Sequence, residues 1–334
     1  MIAPQNASSS GAVADVRELT HLLELQRNGQ PLPMDERRFP TSMLEDMRVP
    51  VLAIPSRLFY AFEEGIEGFH EQREQSNLHA EARLFATHIL PKISDGSSQV
   101  LHFVDVGAGD GGRGRAITDA AKERGFSVRY TCYDGSSLMI GRNESTFSDC
   151  HVRWSAVKGR FEDFRNASIL LKEDEINILL FLGNNYGNYD PEDIAEMLLH
   201  KQMRPRDLLL IGTDIPNDDH DGMFVLREFL KYSNDRMRMG VFRQLGLDRE
   251  ALRDFVQYNP DRHQVEVYCV VAQVPVHLSP TLDVRIGDVF LANVARRPTA
   301  AMLSAELSRH FVVEVFKNRD ADPLLALAVC RRRS

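Results

Sequence analysis

A doubly wound, mostly parallel α/β sheet is the fold class the sequence predicts, and three observations predict it. Short apolar runs alternate with helical patterns from residue 100 to residue 213, which is how a parallel sheet covered by helices on both faces reads. The first of those runs ends in a glycine-rich turn, Gly107-Ala108-Gly109-Asp110-Gly111-Gly112, that leads into a helix. Near the C-terminus two β-rich runs, 310–317 and 323–331, are joined by the short polar turn 318–322, and strands so close in sequence pair antiparallel.

Taken in order, residues 1–13 are small and polar, without a basic n-region or an apolar h-region, and predict a disordered tail rather than a signal peptide. Apolar residues fall at helical spacing over 14–26, a proline-rich stretch over 31–55 interrupts regular structure, and 57–93 reads as helical again. Strands are expected at 100–106, 127–133, 152–157, 176–182 and 207–213, with helices at 115–124, 136–143 and 191–201. From 214 to 298 the alternation breaks into a helix-rich stretch and a strand pair near 264–277, which predicts an inserted α+β lobe. A helix at 299–308 precedes the terminal strands, and no internal repeat is visible.

Composition narrows the classes of function. The 334 residues carry 40 Lys and Arg against 48 Asp and Glu, a net charge of −8, which repels polyanions and gives no electrostatic footprint for nucleic acid. Arg331-Arg332-Arg333 reads as a solvated end. No apolar run approaches the roughly 18 residues a membrane helix needs, so a cytoplasmic protein is expected. Cys132, Cys150, Cys269 and Cys330 lie far apart, three of them in strand-like contexts, and predict free buried thiols rather than a disulfide or zinc framework.

Chemistry first shows at the glycine turn. Backbone without side chains approaches a ligand closely, and the helix that follows begins with unpaired N–H groups, so a nucleotide-like cofactor is the natural guest beside Asp105, Gly107 and Gly109. The glycine pattern fits in two registers and discriminates poorly. Asp134, at the end of the next strand, stands where a carboxylate accepts both hydroxyl protons of a ribose diol. A nicotinamide cofactor would be held in the same manner, so these two signals leave a dehydrogenase open.

Two further segments separate the alternatives. Phe181-Leu182-Gly183-Asn184-Asn185-Tyr186-Gly187-Asn188 and Leu210-Ile211-Gly212-Thr213-Asp214 resemble the histidine-specific, S-adenosylmethionine-dependent methyltransferases of ergothioneine biosynthesis and their ergot-alkaloid relatives, from about residue 57 to the C-terminus. The resemblance implies a class I methyltransferase sheet closed by an antiparallel C-terminal hairpin, with S-adenosylmethionine as cofactor. It implies a nucleotide-binding domain over 81–215 completed by 299–334, and a substrate lobe built from 14–80 and 216–298. Gly107, Gly109 and Asp134 then match the cofactor loop and ribose carboxylate, Gly183 and Asn184 the loop after the fourth strand. Phe161 matches the aromatic residue beside the adenine, although Arg160 stands where the family has an acidic adenine partner. Asn188 matches the asparagine that holds the substrate's amino-acid head group, Tyr232 the tyrosine that binds its carboxylate, and Tyr60 the tyrosine beside its amine.

At Asn293 and Ala295 the chain departs from that pattern, because the histidine enzymes present a glutamate and a serine to the imidazole there. Polar sites discriminate through such buried partners, so histidine is not the expected acceptor. The reading is N-methylation of a small amino-acid-like metabolite, with Tyr60 or Tyr232 positioning the acceptor and neither metal nor covalent intermediate involved. Methylation at oxygen or another heteroatom is the alternative within enzymes, and a catalytically silent cofactor-fold protein, favoured by Arg160 alone, is the alternative outside them. A monomer or homodimer without nucleic acid or membrane is expected. Plainer roles suit other features: Asp218-Asp219-His220-Asp221 as an acidic loop, His79 and His88 half a turn out of phase on a helix, and Trp154 in the core.

Overall fold

Strands β2 (Val100–Val106), β3 (Ser127–Asp134), β4 (Arg153–Lys158), β5 (Ile176–Phe181), β6 (Leu208–Asp214), β10 (Phe311–Asn318) and β11 (Leu325–Arg332) form one sheet in the order β10-β11-β6-β5-β2-β3-β4. The computed structural model describes residues 51–54, 56–60, 62–74, 78–93, 99–161, 163–164, 174–198, 203–216, 225–227, 229–230, 235–273, 284–318 and 324–333, with positions 21, 24, 25 and 28. The tail expected over 1–13, most of the helix expected over 14–26 and the acidic loop at 218–221 lie outside them.

Strands β4, β3, β2, β5 and β6 are parallel to their neighbours, whereas β11 runs antiparallel to both β6 and β10. The C-terminal hairpin is therefore present, with its second strand inserted inside its first. The side chains explain the insertion. Leu325-Ala326-Leu327-Ala328-Val329-Cys330 is buried throughout, as a strand covered on both faces must be, while β10 is mostly half-exposed and takes the edge.

Helices cover both faces: α2 (Ala80–His88), α3 (Gly112–Glu123), α4 (Ser137–Phe147), α5 (Pro191–Leu198) and α7 (Ala300–Leu307). Period-two alternation sends Phe103 and Leu180 into one core with Ile117, Tyr130 and Leu327, and sends Val104 and Leu179 into the other with Leu209, Phe311 and Ala328. Helix α3 starts three residues before the expected 115. Gly111, at φ +80°, caps it, and two glycines in its first turn conceal the start from propensity. Helix α4 passes the expected end at 143 and runs to the buried Phe147; Ser136 caps it by accepting the Met139 N–H.

The chain divides into two compact units, one of residues 1–74, 232–257 and 266–294, the other of 75–231, 258–265 and 295–334. The first contains α1 (Glu63–Glu74), α6 (Asp235–Gln244) and most of a second sheet. That sheet has the order β1-β9-β8-β7, from β1 (Val51–Ala53), β7 (Leu252–Asn259), β8 (Gln264–Val271) and β9 (Val289–Arg296), with β1 parallel to β9. Of the strand pair expected near 264–277, 264–271 is the strand β8, lying between β7 and β9, and 274–277 lie outside the described residues. Arg253-Asp254 and Gln257 give β7 the composition of a loop, because it is an edge strand with a largely exposed surface. Val51–Ala53, a strand, falls inside the proline-rich stretch expected to be irregular.

All four cysteines are free and buried, as expected. Among the described residues no helix is long and apolar enough to cross a membrane, and no group of three or more His, Cys, Asp or Glu is placed to hold a metal ion.

Close approach of backbones governs the first unit. A β-carbon on Gly65 would lie 1.8 Å from the Phe59 carbonyl oxygen, and one on Gly68 would lie 2.6 Å from the Met237 nitrogen. Glycine lets α1 press against the 56–60 turn and α6, closing a core of Phe59, Phe62, Val241, Phe242 and Phe290. Gly68→Ala is expected to lower stability by about 1–3 kcal/mol, the usual consequence of overpacking, read from urea denaturation; a midpoint equal to that of the unsubstituted protein would show that the helices can part freely.

Candidate active site

The sheet order reverses at β2, whose chain continues to β3 on one side while β5 joins on the other. Such a switch point opens a crevice beyond the carboxyl ends of the strands. The 107–111 turn lies there. Gly107, Gly109 and Gly111 adopt φ of +69°, +55° and +80°, the left-handed region that glycine enters without strain. Gly107 N–H donates to the Tyr133 carbonyl at 2.8 Å, and the Asn185 amide donates to the Gly107 carbonyl at 3.0 Å. A β-carbon at Gly107 would sit 2.8 Å from that Asn185 nitrogen.

Asp134 closes the turn from the next strand. Its Oδ2 accepts the Gly109 N–H at 2.9 Å and its Oδ1 accepts the Ser136 N–H at 2.8 Å. Burial raises its pKa, against the lowering effect of the backbone N–H groups of Ser136, Gly109 and Gly135. A carboxylate has about four lone-pair sites, so hydroxyl groups of a ribose can share oxygens already oriented by backbone. With side-chain-free backbone at 107–111, these residues fit a nucleoside cofactor.

Asp105 is 3 % exposed and accepts the Tyr130 hydroxyl at 2.6 Å. Burial pushes its carboxyl up to about 7 from 3.8; the Tyr130 hydrogen bond opposes that rise, Asp134 and Glu81 add to it, and Arg113 opposes it. Beneath β5 the loop is held by a pair that sequence reading missed. Glu81, wholly buried on α2, pairs with Arg113 at 2.5 Å and accepts the Gly183 N–H at 3.4 Å. Burial works against the Arg113 charge, but Glu81 and Asp214 outweigh it and hold the guanidinium above its usual pKa. Glu81 lay hidden because its partner is 32 residues away; Arg113 could have been found as the cation directly after the glycine turn.

Asn184 adopts φ +68°, and its amide oxygen accepts the Thr213 hydroxyl at 2.8 Å and the Asp214 N–H at 3.3 Å, bridging the ends of β5 and β6. Asn188 is half-buried at the end of the short 3-10 turn 185–188. That turn has its own anchor: Tyr186 hydroxyl donates to Glu306 at 2.7 Å, and Arg296 grips the same carboxylate with both terminal nitrogens. Phe161 stacks on Tyr189 at 4.7 Å and on Phe181 at 5.3 Å, and the Arg160 carbonyl accepts the Tyr133 hydroxyl at 2.8 Å. Asp105, Gly107, Gly109, Asp134, Phe161, Gly183, Asn184 and Asn188 thus all belong to one unit, at or just beyond strand ends.

Tyr60 and Asn293 belong to the other unit, Tyr60 packed edge-on against Phe69 at 5.5 Å and Asn293 half-buried on β9. Tyr232 lies outside the described residues. His79 precedes α2 and His88 stacks on Phe316 at 4.4 Å, which assigns them separate places. Trp154 is half-buried against the core and donates to Asn143 at 2.9 Å.

A parallel sheet with one reversed strand set inside its edge, a left-handed glycine turn and an aspartate on the neighbouring strand define an S-adenosylmethionine-dependent methyltransferase rather than a dehydrogenase, whose nucleotide-binding sheet is parallel. Over residues 41–327 the sequence matches the family model described as histidine-specific methyltransferase, SAM-dependent, and the chain belongs to that family. It is 29% identical over 222 residues to a histidine N-alpha-methyltransferase of Mycobacterium tuberculosis (strain CDC 1551 / Oshkosh), covering 61% of this chain and 67% of that one. Solved structures it resembles include an S-adenosylmethionine-dependent methyltransferase from Clostridium acetobutylicum (10% identity, 75% of this chain, 92% of that chain, TM-score 0.41). Another is an O-methyltransferase family protein from Burkholderia thailandensis (11% identity, 98% of this chain, 74% of that chain, TM-score 0.45).

Two measurements bear on this site. Asp134→Ala is expected to weaken S-adenosylhomocysteine binding about 100-fold or more, since two hydrogen bonds to a charged group are lost at roughly 1.5–3 kcal/mol each; calorimetry showing unchanged affinity would move the ribose elsewhere. Asp105 makes stability depend on pH. The native carboxyl keeps its proton up to about 7 whereas the unfolded one releases it at 3.8, so the native chain holds the extra proton in between. Stability then falls as pH rises through that window, by at most about 1.4 kcal/mol per pH unit. Asp105→Asn, which cannot ionise, is expected to remove this slope, so that urea midpoints of the two proteins diverge between about pH 4 and pH 7; parallel profiles would place the proton elsewhere.

Proposed function

We propose that the protein methylates a nitrogen of a small, amino-acid-like metabolite other than histidine, working in the cytoplasm as a monomer or homodimer. One observation carries the reading: Asn293 and Ala295 stand where the histidine enzymes are expected to present glutamate and serine to the imidazole. An uncharged amide and a methyl group cannot satisfy both imidazole nitrogens, and a buried donor left without an acceptor is disfavoured by roughly 1–3 kcal/mol. The head-group residue Asn188 is retained, which supports an acceptor that still carries an amino acid's amine and carboxylate.

S-adenosylmethionine supplies a methyl group on a sulfonium, already electrophilic, so the chain's own task is alignment and exclusion of water. In this reading Asp134 accepts the ribose hydroxyls, the 107–111 backbone and the Gly183-Asn184 loop enclose the donor, and Phe161 borders the adenine. Arg113, beside Gly183, presents positive charge to the donor's amino-acid carboxylate. Asn188 and Tyr232 hold the acceptor head group. Tyr60 orients the acceptor nitrogen, whose lone pair must be free of its proton before attack. The substrate lobe is formed by 14–80 and 216–298.

Incubation with isotopically labelled S-adenosylmethionine and a panel of amino acids and their derivatives, read by mass spectrometry, tests the assignment. Label on the nitrogen of an amino-acid-like compound is expected, with histidine unlabelled. Label on oxygen, or on histidine as the preferred acceptor, would overturn it, and binding without transfer to any member of a broad metabolite extract would favour a silent protein. The double substitution Asn293→Glu with Ala295→Ser is expected to bring in histidine methylation; a variant that folds, binds the cofactor and still ignores histidine would show that specificity resides in other residues.

A further inference from the structure

Helix α4 is not among the elements assigned to the site, yet it grips the cofactor loop at consecutive carbonyls. Asn143 is wholly buried, and its amide nitrogen donates to the Gly109 carbonyl at 3.4 Å and to the Tyr130 hydroxyl at 3.3 Å. Its amide oxygen accepts the indole N–H of Trp154 at 2.9 Å. One turn on, the Thr146 hydroxyl donates to the Asp110 carbonyl at 2.7 Å. A β-carbon at Gly111 would come within 2.7 Å of the Asn143 nitrogen and 3.1 Å of the Phe147 ring. Positions 143, 146 and 147 share one helix face, and that face lies against residues 109–111.

We propose that Asn143 is a positioning residue for the methyl donor: it fixes the Gly109 peptide, with Trp154 and Tyr130 fixing Asn143 in turn. The argument runs through the geometry of one residue. Gly109 sits at φ +55°, with its N–H on Asp134 and its carbonyl on Asn143, so a residue free to adopt many conformations is held in one from both sides. An amide is the side chain that fits, since it donates to two oxygens while accepting from an indole. A carboxylate of the same size would face the Gly109 carbonyl with lone pairs instead of a hydrogen. Loss of the tie would free the Gly109–Asp110 peptide to turn about the Gly109 α-carbon, and the preceding peptide, no longer held against it, could then draw the Gly109 N–H off Asp134, loosening the carboxylate proposed to hold the ribose. The inference rests on the proposed placement of the donor at this loop.

The test uses the full chain and S-adenosylhomocysteine as the probe. Asn143→Asp is expected to bind it at least about tenfold more weakly, the effect of losing a buried hydrogen bond and setting two acceptors face to face, and Trp154→Phe about two- to fivefold more weakly. Leu327→Ala, a cavity in the same core on β11, serves as the control for general destabilisation, with all titrations well below each protein's melting temperature. Trp154 is the chain's single tryptophan, so its emission gives a second readout: it is expected to change when the probe binds the unsubstituted protein and to stay constant in saturated Asn143→Asp. Affinity in Asn143→Asp equal to that of the control, or a Trp154 response unaltered by the substitution, overturns the proposal. If Asn143→Asp does not fold, Trp154→Phe decides alone, and unchanged affinity there overturns it. Asp134→Ala measured alongside separates the two levels: full affinity in that variant removes the donor from the loop and the inference with it, whereas weak binding there beside full affinity in Asn143→Asp sinks the inference only.

Discussion

The contact between the Gly109 N–H and the Asp134 carboxylate is the constraint on which the cofactor end of this protein depends. Two parallel strands deliver their last residues side by side, and that hydrogen bond makes a carboxylate 25 residues downstream part of the glycine turn. Parallel pairing of β2 with β3 places Val106 opposite Tyr133, so Asp134 comes level with the turn by register alone. Glycine at 107, 109 and 111 is then a requirement of shape, because each backbone is left-handed and two of the absent side chains would strike Asn185 or Asn143. Around this tie stand the wholly buried Glu81, with its partner Arg113, and Asp105, a carboxylate whose environment favours its proton. Such groups are retained in cores where they hold neighbouring backbone in one arrangement.

Legibility from sequence followed the local character of each signal. Strands β2, β5 and β6 announced themselves because burial on both faces demands near-continuous apolar runs, and the glycine turn did because left-handed backbone leaves a compositional mark. Helix α3 was placed late since those same glycines disguise a first turn. Strands β7 and β1 were missed for the opposite reason: an edge strand with Arg253, Asp254 and Gln257 reads as loop, and a three-residue strand inside a proline-rich stretch has no period to detect. Pairings that span long separations left no trace. Glu81 with Arg113, Tyr186 with Glu306, and Asn143 with Gly109 are each ordinary polar residues until the fold unites them.

Family membership and acceptor identity rest on different parts of the chain. The loop, the aspartate and the switch point proposed for the donor all lie within the unit that carries the seven-stranded sheet, and the 41–327 match covers that unit up to β11. In the proposed reading, acceptor choice turns on single side chains on β9 and in segments such as the one around Tyr232. Asn293 is half-buried and Ala295 is 4 % exposed. Their neighbours Val294 and Arg296 are buried as well, so the backbone that presents these two positions is fixed and only their side chains are open to change.

Arg296 shows how that fixing is achieved. It follows Ala295 directly, and its guanidinium is bound on two nitrogens by Glu306, which also receives the Tyr186 hydroxyl. Glu306 therefore binds the end of β9 and the 185–188 turn at once, and a β-carbon on Gly187 would meet the Arg296 carbonyl at 2.6 Å. An ion pair largely removed from water contributes modestly to net stability but disfavours any arrangement in which one partner is left alone. Tyr186 of that turn and Arg296 at the end of β9, both in the unit that carries the seven-stranded sheet, are consequently held by one carboxylate. Any displacement of Glu306 would therefore disturb strand end and turn together.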